Sequence, residues 1–378
     1  MGKNGGVGLK SKMELQTQGI KYAGSKKQLI PQILSLAKET GAQSVWDGFS
    51  GTTRVSQAFA QAGYRTISSD LSVWSEVFAQ CWLLNRQEPG TYAELIAHLN
   101  GIPPRDGWFT EHYGGDPEIC SDSPNVLKKP FQRKNTQKAD GIREEIDRLG
   151  LDPVTRAVAL TSLILALDRV DSTLGHFSSY LRQWSPRSFR DLKLEIPHLW
   201  VNSQKNEVHR GEIFSLTSKI HADLAYFDPP YGSNNEKMPP SRVRYSAYYH
   251  FWTTLILNDR PALFGKAARR KDTSDLRSAS VFEEFRRDPQ TGRFLAVEAI
   301  RKLLAETYSP WILLSYSSGG RATAEELMDA IHSVGKLRQF LKLDYRRNVM
   351  AEMKWTHEWL RENDEKNQEF LFLIEKKS

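Results

Sequence analysis

The chain has 378 residues, 39% hydrophobic and 26% charged, a composition that supports a buried core in one or two domains and excludes a disordered chain. Lys and Arg outnumber Asp and Glu by 52 − 45 = 7, which makes a polyanionic partner, nucleic acid above all, the first expectation. Two cysteines, Cys81 and Cys120, exclude a disulfide framework and a CxxC-type zinc site, and the expected setting is a reducing cytoplasm.

Residues 1–18 read as a polar, glycine-rich leader without the apolar core of a signal peptide. GIKYAGSKKQLIPQILSLAKET (19–40) is a glycine turn followed by a helix with Leu29, Ile30, Ile33, Leu34 and Leu36 at apolar positions. AQSVWDGFSGTTRVSQAFAQAGYRTISSDLS (42–72) reads as strand, glycine turn, helix, turn, strand and acid. That is the opening βαβ of a doubly wound sheet. A glycine between strand and helix lets backbone amides approach a cofactor, and Asp70 ends the next strand where an acid can hold ribose hydroxyls. GxGxxG, GKS and GKT are all missing, so S-adenosylmethionine ranks above dinucleotides and nucleoside triphosphates.

From 81 to 204 the pattern turns helical. Amphipathic helices at 89–100 and 138–149 flank an irregular middle, and Asp152 and Pro153 read as cap and first turn of a mostly apolar helix. Its LTSLILAL (160–167) is the longest apolar stretch and far too short to span a membrane. Strands return at 222–227, 311–318, 338–345 and 368–376, with a polar stretch at 232–300.

In AYFDPPYGSN (225–234) the two prolines must end the strand, because neither donates to a sheet ladder. Asp228, Pro229, Pro230 and Tyr231 then stand at the carboxyl edge, where open α/β sheets bind ligands. An exocyclic adenine amine is a poor nucleophile, its lone pair being delocalised into the ring. The Asp228 carboxylate and the rigidly held Pro229 carbonyl, aimed at its hydrogens, would favour the pyramidal transition state. Tyr231 suits stacking on a base taken out of the duplex.

The chain resembles the Dam-like class of S-adenosylmethionine-dependent DNA adenine-N6 methyltransferases. The resemblance rests on KYAGSKKQLIPQI (21–33), DGFSGT (47–52), Asp70 and DPPY (228–231), in the family's order. It implies a Rossmann-like methyltransferase sheet with helical and irregular insertions, a discontinuous catalytic core over 19–80 and 205–378, and no metal. Tyr22 and Lys26 would belong to the cofactor pocket, with DNA a second partner for Lys26. Asp47, Phe49 and Gly51 would shape the methionine side of the site, Asp70 would hold the ribose, and Glu212, in VHRGEIFSL (208–216), would line the adenine. Ser25 and Thr53 depart from the family's AGGK and FxGxG glycines.

The same resemblance places target recognition within 81–204. Lys128, Lys129, Arg133 and Lys134 interleave charge with Phe131, a pattern for phosphate contact and stacking that a solvated basic loop shares. The aromatic segment 171–186 is a second candidate, with His176 and Trp184 either at the DNA or in the core. Arg242, Arg244 and Tyr245, in the polar 232–300 stretch, follow the catalytic motif closely enough to contact DNA and guide the target strand into the pocket. The implied function is methylation of adenine N6 in double-stranded DNA by base flipping, with a cognate restriction endonuclease as a possible partner and no membrane association. The alternatives are an RNA adenine or DNA cytosine-N4 methyltransferase, a catalytically silent DNA-binding subunit and a nucleotide-binding dehydrogenase.

Overall fold

Short apolar runs punctuated by glycine turns become the strands of one sheet. A computed structural model describes residues 15–118, 129–181, 183–232, 245–274, 280–344 and 368–377. Its main sheet contains β1 (Ser44–Asp47), β2 (Arg65–Asp70), β3 (Glu207–Arg210), β4 (Leu224–Phe227), β5 (Trp311–Ser317), β6 (Gly335–Asp344) and β7 (Gln368–Lys376). They lie in the order 6-7-5-4-1-2-3. Strands β1 to β5 run parallel to one another, whereas β7 runs antiparallel to both β5 and β6. The expected doubly wound α/β sheet is borne out. Within the main sheet the strand without a sequence signal is β3, whose EVHR is half-exposed at the sheet edge and lacks an apolar run.

The described helices are α1 (Ile30–Glu39), α2 (Arg54–Gln61), α3 (Val73–Leu83), α4 (Ala93–Gly101), α5 (Trp108–Tyr113) and α6 (Arg133–Arg148). They continue with α7 (Pro153–Val170), α8 (Ile213–Leu216), α9 (Tyr245–Tyr248), α10 (His250–Leu257), α11 (Leu295–Glu306) and α12 (Ala324–Val334). Because successive strand residues face opposite sides, Val45 packs with Leu36 and Phe59 of α1 and α2, while Trp46 packs with Ile213, Ile300 and Ile331 on the other face. β4 is buried along its whole length, as a central parallel strand covered on both faces must be.

A third hydrophobic cluster joins α3 to the helical region, through Trp74, Phe78 and Trp82 against Leu160, Ile164 and Leu167, with Phe251 and Trp252 of α10. Asp152 caps α7 by accepting from the Val154 and Thr155 amides at 3.0 and 3.1 Å, as its sequence signalled. Helix α6 starts at Arg133, earlier than hydrophobic periodicity indicates, because its first turn is fixed by polar bonds: the Asn135 amide donates to the Ser188 and Arg190 carbonyls. Buried Arg143 donates to the carbonyls of Leu255 and Ile256 at 2.6 and 2.9 Å, satisfying the end of α10. Phe131 is buried against Phe177 and Phe251; the expectation that it stacks on bases is corrected, since the core claims the ring.

From β1 the chain winds outward through β2 to β3, then crosses back to β4 on the other side of β1. The crevice at this switch point is where such sheets bind ligands, and it opens beside Asp47, which lies opposite Tyr226. The reversed direction of β7 brings its first residues to the same edge, with Glu369 opposite Ser317.

The turn after β1 is closed around a ring. A Cβ on Gly48 would lie 2.6 Å from the Phe227 ring and 3.1 Å from Ile213, and Phe227 is held edge-on by Trp46. Gly48→Ala should therefore destabilise the fold by about 1–3 kcal/mol. Gly90→Ala, where a Cβ meets nothing within 4 Å, should change stability by less than about 0.5 kcal/mol. Chemical denaturation of the two variants beside the parent measures both.

Candidate active site

An extended segment from Leu15 to Lys26 is lashed across the top of the sheet by polar bonds that hydrophobic periodicity does not reveal. Gln16 and Gln18 exchange amide bonds with Gln61 and Gln57 of α2, and Arg54 donates to the carbonyls of Thr17 and Gly19. The Lys21 ammonium pairs with Asp168 and Asp171 at 3.2 and 3.0 Å. The Ala23 amide donates to the Tyr249 hydroxyl at 2.8 Å. Gly24 turns the chain with φ +81°, so the glycine that this turn requires is present and Ser25 follows it. The segment thereby delivers Tyr22 and Lys26 to the crevice.

There a cavity of about 550 Å³ is lined by Tyr22, Lys26, Asp47, Phe49, Gly51 and Asp70, by Glu212, and by Asp228, Pro229, Pro230 and Tyr231. The structure thus brings together every residue named from sequence as catalytic or cofactor-binding. Its size is that of an ordinary small-molecule site.

One bay is built by the β1–α2 and β2–α3 turns. The Asp70 carboxylate accepts from the Gly51 amide at 2.9 Å and the Ser72 amide at 2.8 Å, which uses two of its roughly four acceptor positions. Asp47 is buried; Oδ2 accepts from the Ser56 hydroxyl at 2.5 Å, and Oδ1 has no hydrogen-bond partner among the described residues. Burial pushes its carboxyl up to about 7, against the Ser56 hydrogen bond. Gly51 needs its positive φ of +48°, and a Cβ there would sit 3.2 Å from the Tyr22 hydroxyl. Thr53, at φ +61°, keeps the loop's left-handed turn without a glycine, a conformation that costs a β-branched residue about 1–3 kcal/mol. Its amide donates to the Ser50 carbonyl at 2.6 Å, and its hydroxyl accepts from Gln57 at 3.0 Å.

The apolar wall combines Phe49, Ile213 and Phe282, with Phe282 edge-on to Phe49 and stacked on Phe214. Leu71, 70% exposed, stands at the rim. Glu212 accepts from the Ser215 amide at 3.2 Å and caps α8.

At the other end of the cavity the charges concentrate. The Lys26 ammonium, 5% exposed, donates to the Gly24 carbonyl at 3.2 Å and pairs with Asp228 Oδ1 at 3.0 Å and Glu369 Oε1 at 3.2 Å. The Tyr231 hydroxyl lies against both carboxylates, Asp228 Oδ1 and Glu369 Oε1, the second at 2.6 Å. Ser315 donates to the same Glu369 oxygen at 3.0 Å. Burial pushes the Asp228 carboxyl up to about 6, against the pull of the Lys26 ammonium, while Asp228 and Glu369 overcome burial to hold the Lys26 pKa up. Tyr22 packs against both Tyr245 and Tyr249, with ring centroids 5.3 and 4.8 Å away, and those two rings lie 6.3 Å from each other.

Glu369, Phe282 and Leu71 were not singled out from sequence. Glu369 left one signal, an acid inside the apolar strand QEFLFLIEK, but only the reversal of β7 shows that it reaches this edge. Of the residues named for DNA contact, Tyr245 lines the cavity, whereas Lys129, Arg133 and Lys134 do not. Lys128, Arg242 and Arg244 lie outside the described residues. The Lys129 ammonium donates to the His112 carbonyl at 2.6 Å, and Arg133 and Lys134 pair with Asp106 and Asp191. His176 is buried and stacks on Tyr248.

Among the described residues, no group of His, Cys, Asp and Glu is placed to hold a metal, and no helix is long and apolar enough to cross a membrane. Residues 22–302 match the model of the D12 class N6 adenine-specific DNA methyltransferases. The modification methylase StsI of Streptococcus sanguinis is 28% identical over 87% of this chain and 48% of its own length. The type II methyltransferase M.NlaIII of Neisseria lactamica is 24% identical over 86% of this chain and 91% of its own length. M.FokI of Planomicrobium okeanokoites is 25% identical over 94% of this chain and 53% of its own length, so the chain spans about half of StsI and of M.FokI and nearly all of M.NlaIII. With this match, and with its motifs gathered around one cavity at the switch point of the sheet, the chain belongs to the family of D12 class N6 adenine-specific DNA methyltransferases.

Proposed function

We propose that the chain transfers a methyl group from S-adenosylmethionine to adenine N6 in double-stranded DNA, on a base flipped into the cavity. The observation that carries this reading is the single cavity in which a ribose-type acid, an orphaned buried acceptor and the Asp-Pro-Pro-Tyr edge meet. Bound there, S-adenosylmethionine supplies an electrophilic methyl on a sulfonium that leaves as a neutral thioether. Its two cationic groups suit this wall: among the described residues Asp47, Asp70, Glu212, Asp228 and Glu283 line the cavity, with Lys26 and Arg54 as the cations. Such a field would repel the pyrophosphate of a dinucleotide.

The residues divide the work. Asp47 Oδ1 offers an acceptor to the methionine ammonium with Phe49 on the same side, Asp70 has lone pairs left for ribose hydroxyls, and Ile213 and Phe282 take the cofactor's adenine beside Glu212. Asp228 and the Pro229 carbonyl accept from the N6 hydrogens, which localises the nitrogen lone pair as the bond to carbon forms. Tyr231 flanks the target base, and the Tyr22–Tyr245 column forms a second aromatic wall. Placing amine and methyl in contact supplies much of the remaining rate. The helical region 81–204 and the polar segment 232–300 are the surfaces proposed to hold and read DNA. A cytoplasmic modification role beside a cognate endonuclease completes the reading.

Asp228→Ala should lower turnover by roughly a thousandfold or more while leaving cofactor binding largely intact. Incorporation of labelled methyl into deoxyadenosine, read after nucleoside digestion, and calorimetric titration with the cofactor measure the two effects. Near-parental turnover in this variant would overturn the assignment. Turnover should also fall as pH drops through about 6, because protonation of Asp228, whose carboxyl burial holds at about 6, removes the acceptor. A single-turnover pH profile checks this, and a rate flat down to pH of about 4.5 counts against it.

A further inference from the structure

Three distant segments put two carboxylates and one ammonium in contact: Lys26 from the amino-terminal segment, Asp228 after β4 and Glu369 on β7. The ammonium has three hydrogens, and its three neighbours are Gly24, Asp228 and Glu369. The Tyr231 hydroxyl has one hydrogen and two carboxylates within reach. Both donors meet Asp228 at Oδ1, whereas Oδ2 accepts nothing from the described residues and the side chain keeps 17% exposure. The side chain of Glu369 is 7% exposed, and its Oε1 collects Lys26, Tyr231 and Ser315.

We propose, resting on the functional reading above, that Glu369 is a positioning residue for methyl transfer, sharing Lys26 and the Tyr231 hydroxyl with Asp228 so that the Asp228 carboxylate keeps an acceptor free and turned to the target amine. Without this second carboxylate the buried ammonium and the phenol would both go to Asp228. A carboxylate so neutralised is a poorer acceptor. With Glu369 the cluster of two acids and one base holds one excess negative charge. That charge favours the cationic nitrogen formed when the N6 lone pair makes the N–C bond and the C–S pair departs with sulfur; the nitrogen then returns to neutrality by losing a proton to Asp228 or water. A purely structural Glu369 would pin β7 to β5 and nothing more.

Glu369→Gln keeps the shape and removes the charge, which separates the two roles. The Asp228 carboxyl is followed by carbon-13 NMR in the protein without cofactor, with its signal assigned by its loss in Asp228→Asn. Besides Glu369, the titratable groups facing Asp228 among the described residues are Lys26, Tyr231, Tyr226, Tyr245, Tyr22 and Asp47, and all are unchanged in the variant. Glu369→Gln should move the Asp228 titration to lower pH, because a neighbouring negative charge is gone. It should also lower kcat at pH 8 by about tenfold with KM for DNA and cofactor within about twofold. Glu369→Asp keeps the charge but is one methylene short of Lys26 and the Tyr231 hydroxyl, so the Asp228 titration should stay near the parental one while kcat falls. An unmoved Asp228 titration or a parental kcat in a folded Glu369→Gln protein overturns the proposal. If Glu369→Gln does not fold, Glu369→Asp decides: a kcat lowered at least about threefold with an unchanged melting temperature supports the proposal, and a parental kcat overturns it. Failure of the parent protein to methylate DNA would overturn the functional reading alone, since the NMR titration still decides the part played by Glu369.

Discussion

The Lys26 ammonium between Asp228 and Glu369 is the contact on which the arrangement of the site depends. A buried cation with one partner lost is destabilising by about 3–5 kcal/mol, so these three side chains favour arriving together or not at all. Their sequence positions lie near the beginning, in the middle and close to the end of the chain, and the sheet is what makes them neighbours. β4 carries Asp228 to the carboxyl edge. β7, by running backwards between β5 and β6, carries Glu369 to the same edge. The amino-terminal segment brings Lys26 over the top, fastened to α2 and to the end of α7. Closing the ion cluster and closing the sheet are therefore coupled.

A protein with net charge +7 has built an acidic cavity. The two facts address different ligands. The net positive charge suits the DNA proposed as substrate and acts over a Debye length of about 8–10 Å. The cavity's carboxylates act at contact distance in a poorly solvated space, where burial itself raises the Asp47 and Asp228 pKa values. That poor solvation also explains why an acceptor there is worth more than the same carboxylate in water.

Much of the fold and nearly all the cavity were legible in the sequence, for reasons specific to the residues. β1, β4, β5 and β7 are apolar runs, and two prolines after Phe227 leave no choice about where β4 ends. The Asp47–Gly48 turn and Asp70 mark the ends of β1 and β2. What escaped has equally specific causes. β3 is short and half-exposed, α6 begins on polar bonds from Asn135, and Phe131 in KKPFQRK is claimed by a core that charge pattern does not disclose. Glu369 escaped because strand direction cannot be read from a strand's own residues: in a parallel β7 it would point to the opposite edge of the sheet.

The position of the helical region bears on the chemistry through the same amino-terminal segment. Lys21 is tied to Asp168 at the end of α7 and to Asp171 just beyond, and the Ala23 amide is tied to Tyr249 immediately before α10. Tyr249 belongs to the cluster that packs α7 and α10 against α3, Asp168 stands on α7 itself, and α3 in turn begins three residues beyond Asp70. A displacement of α7 would pull on Lys21, and five residues later on Lys26. The helices proposed to hold DNA and the ammonium that steadies Asp228 thus share a mechanical frame, because the chain that crosses from one to the other is short, hydrogen-bonded along its length and buried at its end.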